Sequence, residues 1–137
     1  MENVVLKALK ERRSVRRYQS RQVEEEKLSA ILEAGTYAAT GLNRQSPIMV
    51  VVHDPEAREK LRKMNASVMG NPDMDPFYGA PIIVIVLADR NVSTCVEDGS
   101  LVMGNLLNAA HAVGVDSCWI HRAKQEFDSE EGKLMLR

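Results

Sequence analysis

Apolar residues recur near the start of the chain at spacings of three and four, with Val4, Val5, Ala8 and Leu9 on one face, which predicts a short amphipathic helix. A second helix opens on Glu24, Glu25 and Glu26, whose charge suits the positive end of a helix dipole. Leu28, Ile31, Leu32 and either Tyr37 or Ala38 form its inner face, and Gly35 interrupts that face in a way that points to close packing. After Pro47, the run Ile48, Met49, Val50, Val51, Val52 is apolar without alternation, as in a buried strand. Asp54 followed by Pro55 supplies a cap and a first helical residue with no donor to lose, so a third helix is expected from about Glu56 to Val68.

Asn71 to Pro81 contains Gly79, Pro72 and Pro76 and reads as loop, with a turn around Phe77 and Tyr78. Ile82 to Ala88 is the strongest strand pattern, apolar on both faces as in a sheet covered from two sides. Thr94 and Glu97 have capping-box spacing, and the helix they open should run to about Val113 and stop at Gly114. Its apolar positions, from Val96 through Leu101, Val102, Leu106 and Ala110, are too many for one narrow stripe. Such a helix is either central to the core or covered by a partner subunit. Val115 to Ile120 predicts a further short strand with Trp119 packed in the core, and Asp128 with Glu131 predicts a second capping box before a final helix.

Composition makes this pattern one α/β-type domain over residues 1–137: 45% of residues are apolar and 27% charged, enough for a core and without the bias of disorder. No apolar run reaches the roughly 18 to 20 residues of a membrane span, and Met1 to Lys10 lacks the apolar centre of a signal peptide. A cytoplasmic protein with no membrane partner is expected. Cys95 and Cys118 then read as two buried thiols, and with His53, His111 and His121 scattered they suggest no metal site.

Charge is distributed unevenly. Lys7, Lys10, Arg12, Arg13, Arg16, Arg17 and Arg21 face only Glu2 and Glu11 in the first 21 residues, although the whole chain is −1. The remainder is therefore acidic, which argues against a nucleic-acid partner. Guanidinium groups match phosphate oxygens in geometry, so Arg12 to Arg17 reads either as an anion site or as a solvated charged face. Thr40, Gly41, Leu42, Asn43 fits an ordinary turn, and nothing along the chain forms a nucleophile and base pair.

Three stretches together resemble the nitroreductase family of flavoproteins: Arg12, Arg13, Ser14, Val15, Arg16, Arg17, Tyr18; the segment from Ala34 through Thr40, Gly41, Leu42, Asn43, Arg44, Gln45 to Pro47; and Asp98 to Asn105 followed by Ser117, Cys118, Trp119, Ile120, His121. The resemblance implies an α/β (α+β) fold with a central, mostly antiparallel sheet flanked by helices, assembled as an intertwined homodimer. It also implies an FMN cofactor, NADH or NADPH as donor, and ping-pong reduction of a small-molecule electron acceptor such as a nitroaromatic or quinone.

By the same resemblance, Arg12, Arg13, Ser14 and Arg16 would hold the FMN phosphate and the polar edge of the ring. Ala39, Thr40, Gly41, Asn43 and Gln45 would come from the other subunit. Asn65 would contact the flavin pyrimidine, and Ile120 and His121 would border the ring through their backbone. Phe77 and Tyr78 are the candidates for substrate contact, and no residue is assigned as catalytic. Members of the family usually continue beyond the position of Arg137, and Ala39 stands where they commonly have Pro. The short C-terminus leaves open an alternative, a non-catalytic flavin-binding or dimerisation protein.

Overall fold

In the computed structural model, which describes residues 1–137, the elements follow in the order α1 (Val4–Glu11), α2 (Glu25–Thr36), a single 3₁₀ turn (Gly41–Asn43), β1 (Ile48–Val52), α3 (Pro55–Met69), β2 (Ile83–Leu87), α4 (Cys95–Ala112), α5 (Ala123–Asp128) and α6 (Glu130–Met135). β1 and β2 pair antiparallel, with Ile48 opposite Leu87 and Val52 opposite Ile83. The two strands lie between two helical layers, which explains why their sequences do not alternate. Met49, Val84 and Val86 pack with Ile31, Val102 and Leu106 of α2 and α4. Val50, Ile83 and Ile85 pack on the other side with Leu61 of α3, Phe77 and Phe127 of α5.

Local chemistry sets several boundaries as expected. Asp54 Oδ2 accepts the Ala57 amide at 2.8 Å with Pro55 at the first helical position, and α3 closes on Gly70 at φ 80°. Gly35 lets α2 approach the sheet: a Cβ there would sit 2.6 Å from Met49 Sδ and 2.9 Å from Leu106 Cδ2. Gly114 at φ 74° follows the end of α4.

Other expectations are corrected. Val115 to Ile120 forms no strand; its ladder is reduced to one parallel bridge between Ser14 and Ser117, because β2 pairs only with β1 and offers this segment no neighbour. Trp119 is accordingly 50% exposed rather than packed in the core. The Thr94–Glu97 capping box does not form, since the Thr94 hydroxyl donates to Asp98 Oδ2 instead. Near the C-terminus the helix begins earlier, at Ala123, and Ser129 rather than Asp128 caps α6 by accepting the Gly132 amide. Cys95 and Cys118 are free and half-buried, not enclosed.

Two features bear on assembly. Much of the apolar face of α1 is bare: Val4, Val5 and Leu9 are more than half exposed, as are Val96 and Leu101 on α4. A cavity of about 380 Å³ opens between α2, α4, the first residues of β2 and the Val115–Ile120 segment, with apolar walls that include Leu28, Ile31, Val84 and Leu106. No helix is long and apolar enough to cross a membrane.

Candidate functional site

The arginine segment begins where α1 stops. Arg12 turns the chain out of the helix at φ −52°, ψ 133°, and its amide still donates to the Ala8 carbonyl. The extended backbone that follows is fastened to the far side of the fold by the Ser14–Ser117 bridge, in which the Val15 amide donates to the Ser117 carbonyl at 3.1 Å. Two of the three motif stretches are thereby brought side by side.

None of Arg12, Arg13, Arg16 or Arg17 joins the ion pairs of this chain, which engage other residues. Arg13 folds back so that Nη1 donates to the Lys10 and Arg12 carbonyls at 2.6 and 2.8 Å. Arg12 is half-buried, and its Nη1 is fully enclosed without an acceptor. A buried cationic donor left in that state is costly, so the position favours an anion. Tyr18 closes the segment: its hydroxyl donates to the Val15 carbonyl, and burial, reinforced by Cys118 and Asp116 and opposed by Arg16, pushes its pKa up to about 12.

The Ser117–Arg122 segment ends in a sharp turn, with Arg122 left-handed at φ 86°, ψ −2°. The amides of His121 and Arg122 have no acceptor among the backbone hydrogen bonds, so two donors stand free at this turn. Asn65 lies beneath it. This residue is 1% exposed, and both ends of its amide are engaged: Nδ2 donates to the His121 carbonyl at 3.0 Å and to Glu126 Oε2 at 2.8 Å, while Oδ1 accepts from Arg122 Nε at 2.9 Å. Asn65 is therefore not free to meet a ligand, which corrects the expectation of direct pyrimidine contact. Glu126, 4% exposed, has Oε1 without a partner; burial raises its pKa, with Asn65 and Arg122 opposing.

The turn from Ala39 to Gln45 is held by bonds of its own and by α4. Thr40 Oγ1 accepts the Gln45 amide, and Leu42, Asn43 and Gln45 all take positive φ near 50°. The Gly41 amide donates to Asp98 Oδ1 at 2.9 Å, anchoring the turn on α4, and a Cβ at Gly41 would collide with Thr94 Oγ1. No hydrogen bond or ion pair connects this turn with the arginine segment. Ser46 Oγ, at the end of the same turn, is also buried without a partner.

Phe77 and Tyr78 part company. Phe77 is 6% exposed and packs in the core beside Leu61 and Ile85, with an edge bordering the cavity. Tyr78 is half-buried at φ 53° in a loop held by Asp75, which accepts the Phe77 and Gly79 amides and pairs with Arg58 at 2.7 Å. The cavity itself shares only Phe77 and Ile120 with the sequence-identified residues and includes none of Arg12, Arg13 or Arg16. Its walls suit apolar contacts, and of the arginine segment only Arg17 and Tyr18 reach its rim.

Sequence reasoning missed Glu126 and Arg122, and gave Asp98 no role beyond opening the third motif stretch. Asp98 carried a faint signal, a carboxylate among the apolar positions of a long helix. Arg122 carried none, because a left-handed residue is ordinarily announced by Gly or Asn.

Comparisons with known proteins bear on the family and the fold. The family model described as Nitroreductase family matches residues 9–127. A provisionally named NADH dehydrogenase/NAD(P)H nitroreductase of Methanothermobacter thermautotrophicus is 33% identical over 124 residues, 84% of this chain and 59% of its own length. A protein of the same name from Archaeoglobus fulgidus is 36% identical over 121 residues, covering 84% of this chain and 66% of its own. The chain thus spans about three fifths to two thirds of these curated relatives. Among solved structures, a nitroreductase with bound FMN from Bacteroides fragilis superposes with a TM-score of 0.88 at 30% identity, over 98% of this chain and 79% of that one.

Proposed function

The chain belongs to the nitroreductase family, and from that premise we propose that it binds FMN and acts, as a homodimer, as an NAD(P)H-dependent oxidoreductase on a small electron acceptor such as a nitroaromatic or quinone. The observation that carries this reading is Arg12 Nη1, buried without an acceptor in an arginine segment that no carboxylate neutralises. A phosphate there would satisfy the orphaned donor and gain charge-assisted hydrogen bonds. Arg12, Arg13, Ser14 and Arg16 would hold the FMN phosphate and the polar edge of the ring. Ile120 and His121 would border the ring, with the free amides of His121 and Arg122 as donors.

Ala39, Thr40, Gly41, Asn43 and Gln45 would then complete the site from the partner subunit. The lack of any hydrogen bond between them and the arginine segment within one chain supports this, as do the exposed apolar residues Val4, Val5 and Leu9 of α1 and Val96 and Leu101 of α4. Phe77, at the edge of the cavity, and Tyr78 beside it are the candidates for substrate contact. When bound, FMN supplies hydride transfer from the nicotinamide to the acceptor in ping-pong order, which no side chain of this protein could perform. The chain contributes binding, orientation and positive charge, and requires no general base or nucleophile.

The test is the visible spectrum of the purified protein. Bound flavin, or yellow colour regained on incubation with FMN, is expected; failure to take up FMN rejects the reading. A second reading, a non-catalytic flavin-binding or dimerisation protein, is favoured by the open cavity beside the unpaired edge of β2. It predicts flavin uptake without NAD(P)H oxidation in the presence of a nitroaromatic or quinone, and steady turnover rejects it.

A further inference from the structure

Asn65 sits inside α3, yet all its side-chain hydrogen bonds reach forward to one short stretch near the end of the chain. The stretch it grips contains Arg122, a residue with a Cβ held in the left-handed region. That conformation is disfavoured for such a residue and persists only where its surroundings over-determine it. Here they do. The His121 carbonyl is pulled down by Asn65 Nδ2, and the Arg122 side chain is pulled the same way by Asn65 Oδ1 acting on Nε. The first turn of α5 follows directly, through the Glu126 amide donating to the Arg122 carbonyl at 3.1 Å, and Glu126 Oε2 takes the remaining Asn65 hydrogen.

The consequence lies on the opposite side of the peptide plane. Fixing the His121 carbonyl toward the core points the following amide, that of Arg122, away from it, and this amide has no acceptor in the chain. Were the clamp absent, the turn could relax by rotating that peptide. The link through Nε also accounts for an arginine at a position where glycine would be unstrained: the guanidinium supplies the tether that offsets the backbone strain.

We propose that Asn65 is a positioning residue: by clamping the His121 carbonyl and Arg122 Nε it holds residue 122 left-handed and keeps the Arg122 amide presented to the flavin ring. The inference rests on the reading that this turn borders the cofactor. Asn65 itself does not touch the ring, and removing it acts through the orientation of the turn.

The experiment compares FMN titrations, visible spectra and flavin midpoint potentials of the wild type, Asn65→Leu, Arg122→Lys, and the double variant Asn65→Leu with Arg122→Gly. Leucine removes both arms of the clamp at similar volume. Lysine keeps the charge but lacks Nε, and, being half-exposed, it leaves the core undisturbed. Both single variants should bind FMN about tenfold more weakly, a loss of roughly 1.4 kcal/mol, and should shift the flavin band and midpoint potential in the same direction. Glycine adopts the left-handed conformation without a tether, so the double variant should recover most of the wild-type affinity and band shape.

Thermal melting of each FMN-free protein separates this from simple unfolding, and Arg122→Lys decides the matter if Asn65→Leu fails to fold. A wild type that binds FMN while Arg122→Lys keeps its spectrum, potential and affinity would overturn this inference alone. A double variant as impaired as Asn65→Leu would also overturn it. A wild type that takes up no FMN overturns both this inference and the reading on which it rests.

Discussion

Asp98 Oδ1 accepts the amide of Gly41 at 2.9 Å across 57 residues of sequence, with Asp98 only 2% exposed. Its second oxygen accepts from Thr94 at 3.0 Å, so one buried carboxylate ties the turn after α2 to the start of α4. Replacing Asp98 by Ala strands the Gly41 amide and the Thr94 hydroxyl, and should destabilise the fold by about 2 to 3 kcal/mol. Urea unfolding measures this. A midpoint unchanged within error would show that the turn is held by other contacts.

Gly35→Ala is expected to act through packing alone. The added methyl meets Met49 and Leu106 at 2.6 and 2.9 Å, closer than carbon atoms tolerate. A cost of about 1 to 3 kcal/mol should follow, and because Met49 is flexible, Met49→Ala in the same chain should recover part of it. If the two substitutions prove additive, the close approach of α2 to β1 is not the source of the cost.

Arg58 orders the loop that carries Tyr78. It donates from Nε to the Ala80 carbonyl and from Nη2 to Asp75, both at 2.7 Å. Arg58→Ala should cost about 2 kcal/mol and make the loop after α3 the first site of limited proteolysis. The pH dependence follows in sign. Burial raises the Asp75 pKa, but Arg58 and the Phe77 and Gly79 amides outweigh it, and the net shift is downward from 3.8. The stability from Asp75 is present above 3.8 and is lost as pH falls through the lower folded-state value. Wild type and Arg58→Ala should therefore converge in stability on acidification.

Glu126 has the opposite sign. Its pKa is raised, first by burial and despite Asn65 and Arg122, so the folded state favours the protonated acid. Stability is full below 4.5 and declines as pH rises through the raised folded-state value. Glu126→Gln keeps an acceptor for Asn65 and removes the ionisation. It should match the wild type near pH 4 and be the more stable of the two at pH 7. Thermal melting at the two pH values checks this, and a variant less stable at pH 7 would contradict it.

Arg12→Gln should weaken FMN binding about tenfold or more, since a charge-assisted hydrogen bond is worth about 1.5 to 3 kcal/mol. Arg17→Gln, outside the proposed anchor, should have a much smaller effect. Titration of both variants with FMN at constant ionic strength provides the comparison, and equal losses would indicate a diffuse charge effect in place of a built phosphate site.

Much of the architecture was legible in the residues because local rules and burial pointed the same way. Asp54 with Pro55 started α3, Gly35 marked a close approach, and the uninterrupted apolar runs of β1 and β2 reported a sheet covered by helices on both faces. The arginine cluster likewise stood out as a charge anomaly, and its motif pattern carried the family resemblance. What the sequence could not supply was pairing. Val115 to Ile120 has strand composition but no neighbouring strand, so only the Ser14–Ser117 bridge forms. Thr94 has a cap's spacing, but Asp98 takes its hydroxyl. Asn65 looks like an ordinary helix residue until the fold places Arg122 and Glu126, more than fifty positions later, against its amide. Periodicity and charge are local properties that a chain displays along its length. The unpaired Arg12 nitrogen, the left-handed Arg122 and the Asn65 clamp depend on which distant segments meet, and tertiary packing decides that.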